Sequence, residues 1–153
     1  MSADVSEEGV SRTNKVLLAD VGNSRTKLAL LSGVSQGMPL LERRYDLDSH
    51  DFNSDDFENW LRAAVPASAT FFIASVYDTA AAQLETAISA VSATHHLLVQ
   101  RQRVHFSDFP LGVKTDQPDR VGIDRLAAAT AASHLVSSKN GCICSRATAL
   151  YLT

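Results

Sequence analysis

The chain has 153 residues and a mass of 16.5 kDa. That is the size of one ordinary domain, and folding at this length buries about 70% of the unfolded chain's surface, so the core needs no covalent staples. Hydrophobic residues make up 45% and charged residues 20%, which excludes a wholly disordered or collagen-like chain. A net charge of -3 and a pI of about 5.9 give no electrostatic case for nucleic acid or an anionic membrane. No apolar run approaches the roughly 20 residues of a membrane span.

Met1 to Asn14 is polar and acidic and lacks the basic start and apolar stretch of a secretory signal. It predicts a disordered leader, with the fold starting near Lys15. Lys15 to Val21 is a short apolar run that reads as a buried strand, and Arg25 to Leu31 reads as a second. Gly22-Asn23-Ser24 between them tolerates positive φ and tight turns, so the pair predicts a β-hairpin. After a turn region at Gly33 to Pro39, Leu40 to Tyr45 predicts a third strand. Phe57, Trp60, Leu61 and Ala64 have helical spacing behind Ser54 or Asp55 as N-cap, and Pro66 stops that helix. Ala69 to Val76 predicts a buried strand. Asp78 to Val91 predicts an alanine-rich helix with Leu84, Ala87, Ile88 and Val91 on one face. Short strands are expected at His96 to Val99 and Val104 to Phe106, then a loop over Pro110 to Asp119, then a second alanine-rich helix over Gly122 to Val136. Strands first, then strand–helix alternation, argue an α/β fold with a mixed sheet.

Two motifs offer chemistry. In Asp20-Val21-Gly22-Asn23-Ser24-Arg25-Thr26-Lys27 an acid ends a strand and a tight turn follows. Backbone N–H groups in such a turn converge on an anion, and Gly22 lets a phosphate approach with no Cβ in the way. Asp20 is placed to hold Mg²⁺, which keeps several waters and borrows phosphate oxygens, and Lys27 adds a point charge. In Gly122-Ile123-Asp124-Arg125 an acid and a cation sit where a loop becomes a helix. A helix start favours anions, Arg125 can grip a carboxylate at two points, and Asp124 can take a proton from a hydroxyl. Taken alone, each motif is better explained by an ordinary reading: a hairpin turn in the first case, an acid stabilising its own helix in the second.

Other features carry no chemistry. His95 and His96 would point to opposite faces of a strand and make no metal site. Cys142 and Cys144 are the only cysteines; they staple nothing distant, are too few for a structural zinc site, and suit a reduced, cytoplasmic setting. Arg101, Arg103 and His105 form a small basic strip on a solvated strand face. Ser75 has no His and Asp partner that the sequence assigns, and Phe57 and Trp60 read as helix core.

The two motifs, in this order, resemble those of the type III pantothenate kinases. In that family an early strand ends in D-V-G-N followed by Ser or Thr, as at Asp20 to Ser24. A later P-x-x-V-G-x-D-R is matched by Pro118-Asp119-Arg120-Val121-Gly122-Ile123-Asp124-Arg125, and an intervening strand ends in Ser-Val, matched by Ser75-Val76. The resemblance runs from about Lys15 to Leu135. It implies an actin-like/ribonuclease H-like mixed sheet with flanking helices, the N-terminal domain of a two-domain kinase over residues 15–140, usually in a homodimer. It implies transfer of the γ-phosphoryl of ATP to the hydroxyl of pantothenate, giving phosphopantothenate and opening coenzyme A biosynthesis. By the same resemblance Asp20, Val21, Gly22, Asn23, Ser24, Arg25, Thr26 and Lys27 meet ATP phosphates and Mg²⁺, with Asp20 the metal residue. Gly122, Ile123, Asp124 and Arg125 meet pantothenate, and Asp124 is the proton acceptor.

There are departures from the family pattern. Thr115 stands where the family often has Tyr. Where the family's second phosphate loop reads D-x-G-T-A-x-T, whose Asp also holds a monovalent cation (K⁺ or NH₄⁺), this chain has Cys142 to Leu150, with Cys144 at the Asp position and no glycine. The expectation is a truncated or frameshifted member with a degenerate or non-native tail over residues 141–153, where the second domain would begin. Such a chain carries half an ATP site, weak or absent kinase activity, and bare apolar surface. The alternatives are a non-catalytic transcription accessory or regulatory protein of the same fold, or another kinase or phosphatase of the actin-like superfamily.

Overall fold

The computed structural model describes residues 15–35, 38–65, 67–109, 111–113, 116–117 and 121–136. The expected leader over residues 1–14, Pro66, Thr115, Pro118 to Arg120, and the tail with Cys142 and Cys144 lie outside the described residues.

Three strands come first: β1 (Lys15–Val21), β2 (Arg25–Ser35) and β3 (Met38–Asp48). They are followed by α1 (Ser54–Ala64), β4 (Ser68–Ser75), α2 (Asp78–His95), β5 (Leu98–Arg103), a short 3₁₀ turn at Phe106–Asp108, and α3 (Ile123–Val136). The sheet has five strands in the order β3-β2-β1-β4-β5. β1, β2 and β3 form an antiparallel meander, whereas β4 runs parallel to β1 and β5 parallel to β4. Parallel neighbours need a crossover, and α1 and α2 supply one each. This mixed sheet with flanking helices is the actin-like/ribonuclease H-like architecture that the resemblance implies.

Alternation decides which side is covered. Leu17, Ala19 and Val21 are buried, while Leu18 and Asp20 between them are exposed. β1 is therefore central in the sheet but buried on one face only. Register sets Leu17 beside Leu30 and Phe71, and Ala19 beside Leu28 and Ile73. That apolar face packs against Phe57, Leu61 and Ala64 of α1 and Leu84, Ile88 and Val91 of α2. Each fully buried side chain of this kind contributes about 1.5–3 kcal/mol. Leu126 of α3 is also fully buried but stands apart from that cluster; α3 lies against β4.

Several element ends differ from expectation. The cap of α1 is Asn53: its Oδ1 accepts the N–H groups of Asp55 at 3.1 Å and Asp56 at 3.2 Å, so the helix starts at Ser54 and neither Ser54 nor Asp55 caps it. α2 runs on to His95, because Ser92 and Thr94 donate their hydroxyls to the carbonyls of Ile88 and Ala90 and leave the turn intact. His96 ends it in the left-handed region, with φ of 52°. The two histidines are thus a helix end, not a strand. His95 meets Glu58 of α1 at 2.7 Å, and among the described residues no cluster of metal-ligating side chains occurs. One strand, β5, replaces the two short ones expected. The stretch at Phe106 is a 3₁₀ turn whose cap is His105. Arg101 and His105 are exposed, as expected of a solvated strip, but Arg103 is half-buried and both arginines are engaged by α2. Arg101 donates to the Glu85 carbonyl and the Ser89 hydroxyl of α2, and Arg103 pairs with Glu85 and Asp78.

Candidate functional site

The first motif is the turn between β1 and β2. Pairing runs to Asp20 opposite Lys27 and Val21 opposite Thr26. The Gly22 N–H then donates to the Arg25 carbonyl at 3.0 Å and closes the bend. Positive φ is not the reason for its composition: among the described residues only Gly33 and His96 have it. Gly22 matters for clearance instead, since a Cβ there would stand 3.1 Å from the Arg25 carbonyl oxygen, tighter than ordinary contact.

The rest of the turn is tied from outside it. The Val76 N–H donates to the Val21 carbonyl at 3.0 Å, carrying the β1–β4 ladder past Ser75, and the Ser75 hydroxyl accepts the Tyr77 N–H at 3.0 Å where α2 begins. From the far side comes Ser49, just past β3. Its N–H donates to the Ser24 carbonyl at 3.1 Å, its hydroxyl donates to the Gly22 carbonyl at 2.9 Å, and its Oγ lies 3.1 Å from the Thr26 hydroxyl. Thr26 and Ser49 are the buried polar residues of the structure's described part, at 3% and 4% exposure. Sequence reasoning missed Ser49 entirely. Only the β2–β3 register, which pairs Arg25 with Asp48, brings it under the turn.

Asp20 and Lys27 lie on the opposite, exposed face, with Lys27 Nζ 3.6 Å from Asp20 Oδ2. A half-exposed pair of this kind is worth about 0–1 kcal/mol, so Asp20 can exchange its partner for a cation at little cost. One carboxylate is what Mg²⁺ requires when phosphate oxygens and water complete its shell, so the residues present fit that ion. Arg25 turns toward β3, where it lines a recess of about 260 Å³ with Asp46 and Asp48. The Arg44 guanidinium holds the Asp46 carboxyl below the usual range. The His50 N–H, at 2.8 Å, does the same for Asp48. Asn23 and Ser24 are exposed at the tip.

The second motif opens α3. The Gly122 carbonyl accepts the N–H groups of Arg125 at 3.0 Å and Leu126 at 3.2 Å. A Cβ on Gly122 would run into Asp124 Oδ1, so this glycine makes room for the acid two residues on to fold back over the backbone. Asp124 and Arg125 are exposed, while Ile123 faces a crevice of about 150 Å³ that it shares with Ser75, Asp78, Arg103 and His105.

β1 and β4 are parallel, with Val21 beside Ser75, so their carboxyl ends coincide. Ile123 and Ser75 line the same crevice, which brings the start of α3 to that same end of the sheet. In α/β sheets this end is where ligands bind. The β1 end that carries Asp20 is tied to β4 by the Val76 N–H on the Val21 carbonyl, and Ser75 of β4 shares the crevice with Ile123, the neighbour of Asp124.

Comparison with known proteins adds the family. A solved structure of the Ppx/GppA enzyme from Aquifex aeolicus aligns with 59% of this chain and 36% of its own, at 10% identity and a TM-score of 0.34. A glucokinase from an Antarctic psychrotroph aligns with 59% of this chain and 32% of its own, at 16% identity and a TM-score of 0.39. The chain thus spans about a third of the length of each. No curated protein matches it. The family model for type III pantothenate kinase, however, matches residues 16–153, a span that holds both motifs, and the chain belongs to that family.

Proposed function

We propose that this chain carries the phosphate and acceptor sides of an ATP-dependent pantothenate kinase. The observation that supports the reading is the convergence of both motifs on the carboxyl ends of β1 and β4. In this reading the turn from Asp20 to Lys27 meets the phosphates of ATP, and Asp20 holds Mg²⁺. Gly122 to Arg125 meets pantothenate, with Arg125 toward its carboxylate. Mg²⁺, when bound, neutralises charge on the phosphate oxygens. Phosphoryl transfer asks mainly for positioning and charge neutralisation. The acceptor oxygen bonds to the γ-phosphorus, the bond to the ADP oxygen breaks, and the hydroxyl proton passes to the Asp124 carboxylate. The clearance at Gly122 leaves that carboxylate close to the backbone at the helix start.

A coupled assay with ATP and pantothenate tests this. Turnover that falls by about 10²–10⁴-fold in Asp124→Asn, with the unfolding midpoint unchanged, supports it. Calorimetric binding of neither pantothenate nor Mg–ATP would remove it.

A further inference from the structure

We infer that Ser49 is a positioning residue for the turn, fixing the orientation of the Gly22–Asn23 peptide so that the Asn23 N–H faces the phosphate side. This rests on the reading that the turn meets phosphate.

The argument is one of proton and peptide geometry. Ser49 has a single hydroxyl proton, and its Oγ donates to the Gly22 carbonyl at 2.9 Å. The contact at 3.1 Å with Thr26 Oγ1 must then run the other way, with Thr26 donating to Ser49. The result is a directed relay, Thr26 hydroxyl to Ser49 hydroxyl to Gly22 carbonyl, sealed from water at 3% and 4% exposure. No cis peptide bond occurs among the described residues. In a planar trans peptide the C=O and the following N–H point in opposite directions. Fixing the Gly22 carbonyl toward the Thr26–Ser49 pair therefore aims the Asn23 N–H away from it.

The side it faces is set by register. Thr26 is buried beside Val21 on the core face, while Asp20 and Lys27 pair on the other. The Asn23 N–H is thereby turned to the side that carries the metal carboxylate and the lysine. Asn23 has no buried partner of its own to choose that orientation, being exposed at the tip. Ser49 reaches it from a different strand connection, and its own N–H to the Ser24 carbonyl at 3.1 Å holds the other arm of the bend. A buried hydroxyl relay that ends on a solvent-exposed turn stabilises one peptide orientation over its flip. Leaving the Gly22 carbonyl unsatisfied removes that preference.

The test is calorimetry with Mg–ATP and, separately, pantothenate, on the full chain and on Ser49→Ala, Ser49→Thr and Thr26→Val, with the Asn23 amide followed by NMR. The expected result is about a tenfold loss of Mg–ATP affinity in Ser49→Ala with pantothenate affinity unchanged. Ser49→Thr restores binding, and the Asn23 amide resonance moves in Ser49→Ala before any ligand is added. Thr26→Val, which leaves Ser49 in place but removes its donor, gives a smaller loss of the same sign; it decides the matter if Ser49→Ala does not fold. Unchanged Mg–ATP affinity in the folded variants overturns the inference, as does an equal loss for both ligands. A wild-type chain that binds no Mg–ATP overturns the phosphate reading, and an Asn23 amide that stays put in Ser49→Ala overturns the tether as well. A shifted Asn23 amide in Ser49→Ala would then show that it was the ligand, not the tether, that failed.

Discussion

The two motifs are held in opposite ways. Around the Gly22 turn four carbonyls are engaged: Val21 by the Val76 N–H, Gly22 by the Ser49 hydroxyl, Ser24 by the Ser49 N–H and Arg25 by the Gly22 N–H. All of these bonds are uncharged, and they come from three parts of the sheet. The start of α3 is held differently. Among the described residues it rests on the helix's own first hydrogen bonds to Gly122, on the buried side chain of Leu126, and on a crevice lined by Asp78 and by Arg103, which in turn pairs with Glu85. The turn is thus built into the fold, whereas the start of α3 is a helix end leaning on it. Damage to the first should reach the sheet; damage to the second should be local.

Leu126→Ala breaks this contrast most strongly. The side chain is fully buried outside the main core cluster, and truncating such a leucine costs about 2–5 kcal/mol. Because it anchors α3 and not the sheet, hydrogen exchange should quicken in α3 while the amides of β1, β2 and β4 keep their protection. Uniform loss of protection would show that the helix is part of one cooperative core. Gly22→Ala is the smaller, complementary test. Its Cβ would press on the Arg25 carbonyl at 3.1 Å, and relieving that contact costs about 1 kcal/mol or somewhat more. The loss should appear as a lowered denaturation midpoint and as faster exchange across the β1–β2 pairing, with α3 unaffected.

How far the sequence reveals this arrangement depends on the range of the interactions. The β1–β2 hairpin, the α1 and α2 stripes and the start of α3 follow from local periodicity: Leu84, Ile88 and Val91 share a face because a helix repeats at that spacing, and the structure buries all three. What escapes local reading is set by neighbours distant in sequence. Arg103 looks like a solvated strand residue until α2 lays Glu85 and Asp78 over it. Ser49 looks like a loop serine until the β3 register slides it beneath Gly22. Even Asn53, one residue before the expected cap, wins because its extended backbone, with φ of -79° and ψ of 106°, lets its Oδ1 reach two N–H groups at once. The candidate site was legible as two motifs, since each is contiguous. The polar network beneath the turn was not.

The smallest expected effect separates the two regions by pH. Arg103 donates from Nε to Glu85 Oε1 at 2.7 Å, and this bond holds the Glu85 carboxyl below its usual range. In the unfolded chain that carboxyl returns to ordinary behaviour and takes up a proton at higher pH than it does in the fold. Between the two values the unfolded state binds more protons, so stability rises with pH there. The contribution of Glu85 is fully present above its unfolded pKa and is lost as pH falls through the folded one. Arg103→Gln removes the donor's charge and both ion pairs, so it should flatten the acid limb of the stability curve measured by denaturant titration. With each member of the Arg103–Glu85 pair 29% exposed, solvent screening keeps the change modest. Ser49→Thr, which alters only uncharged bonds, should leave the slope of that limb as it is. If Arg103→Gln leaves the slope untouched as well, the crevice wall is no more charge-dependent than the turn, and the contrast between a built-in turn and a leaning helix start loses its electrostatic half.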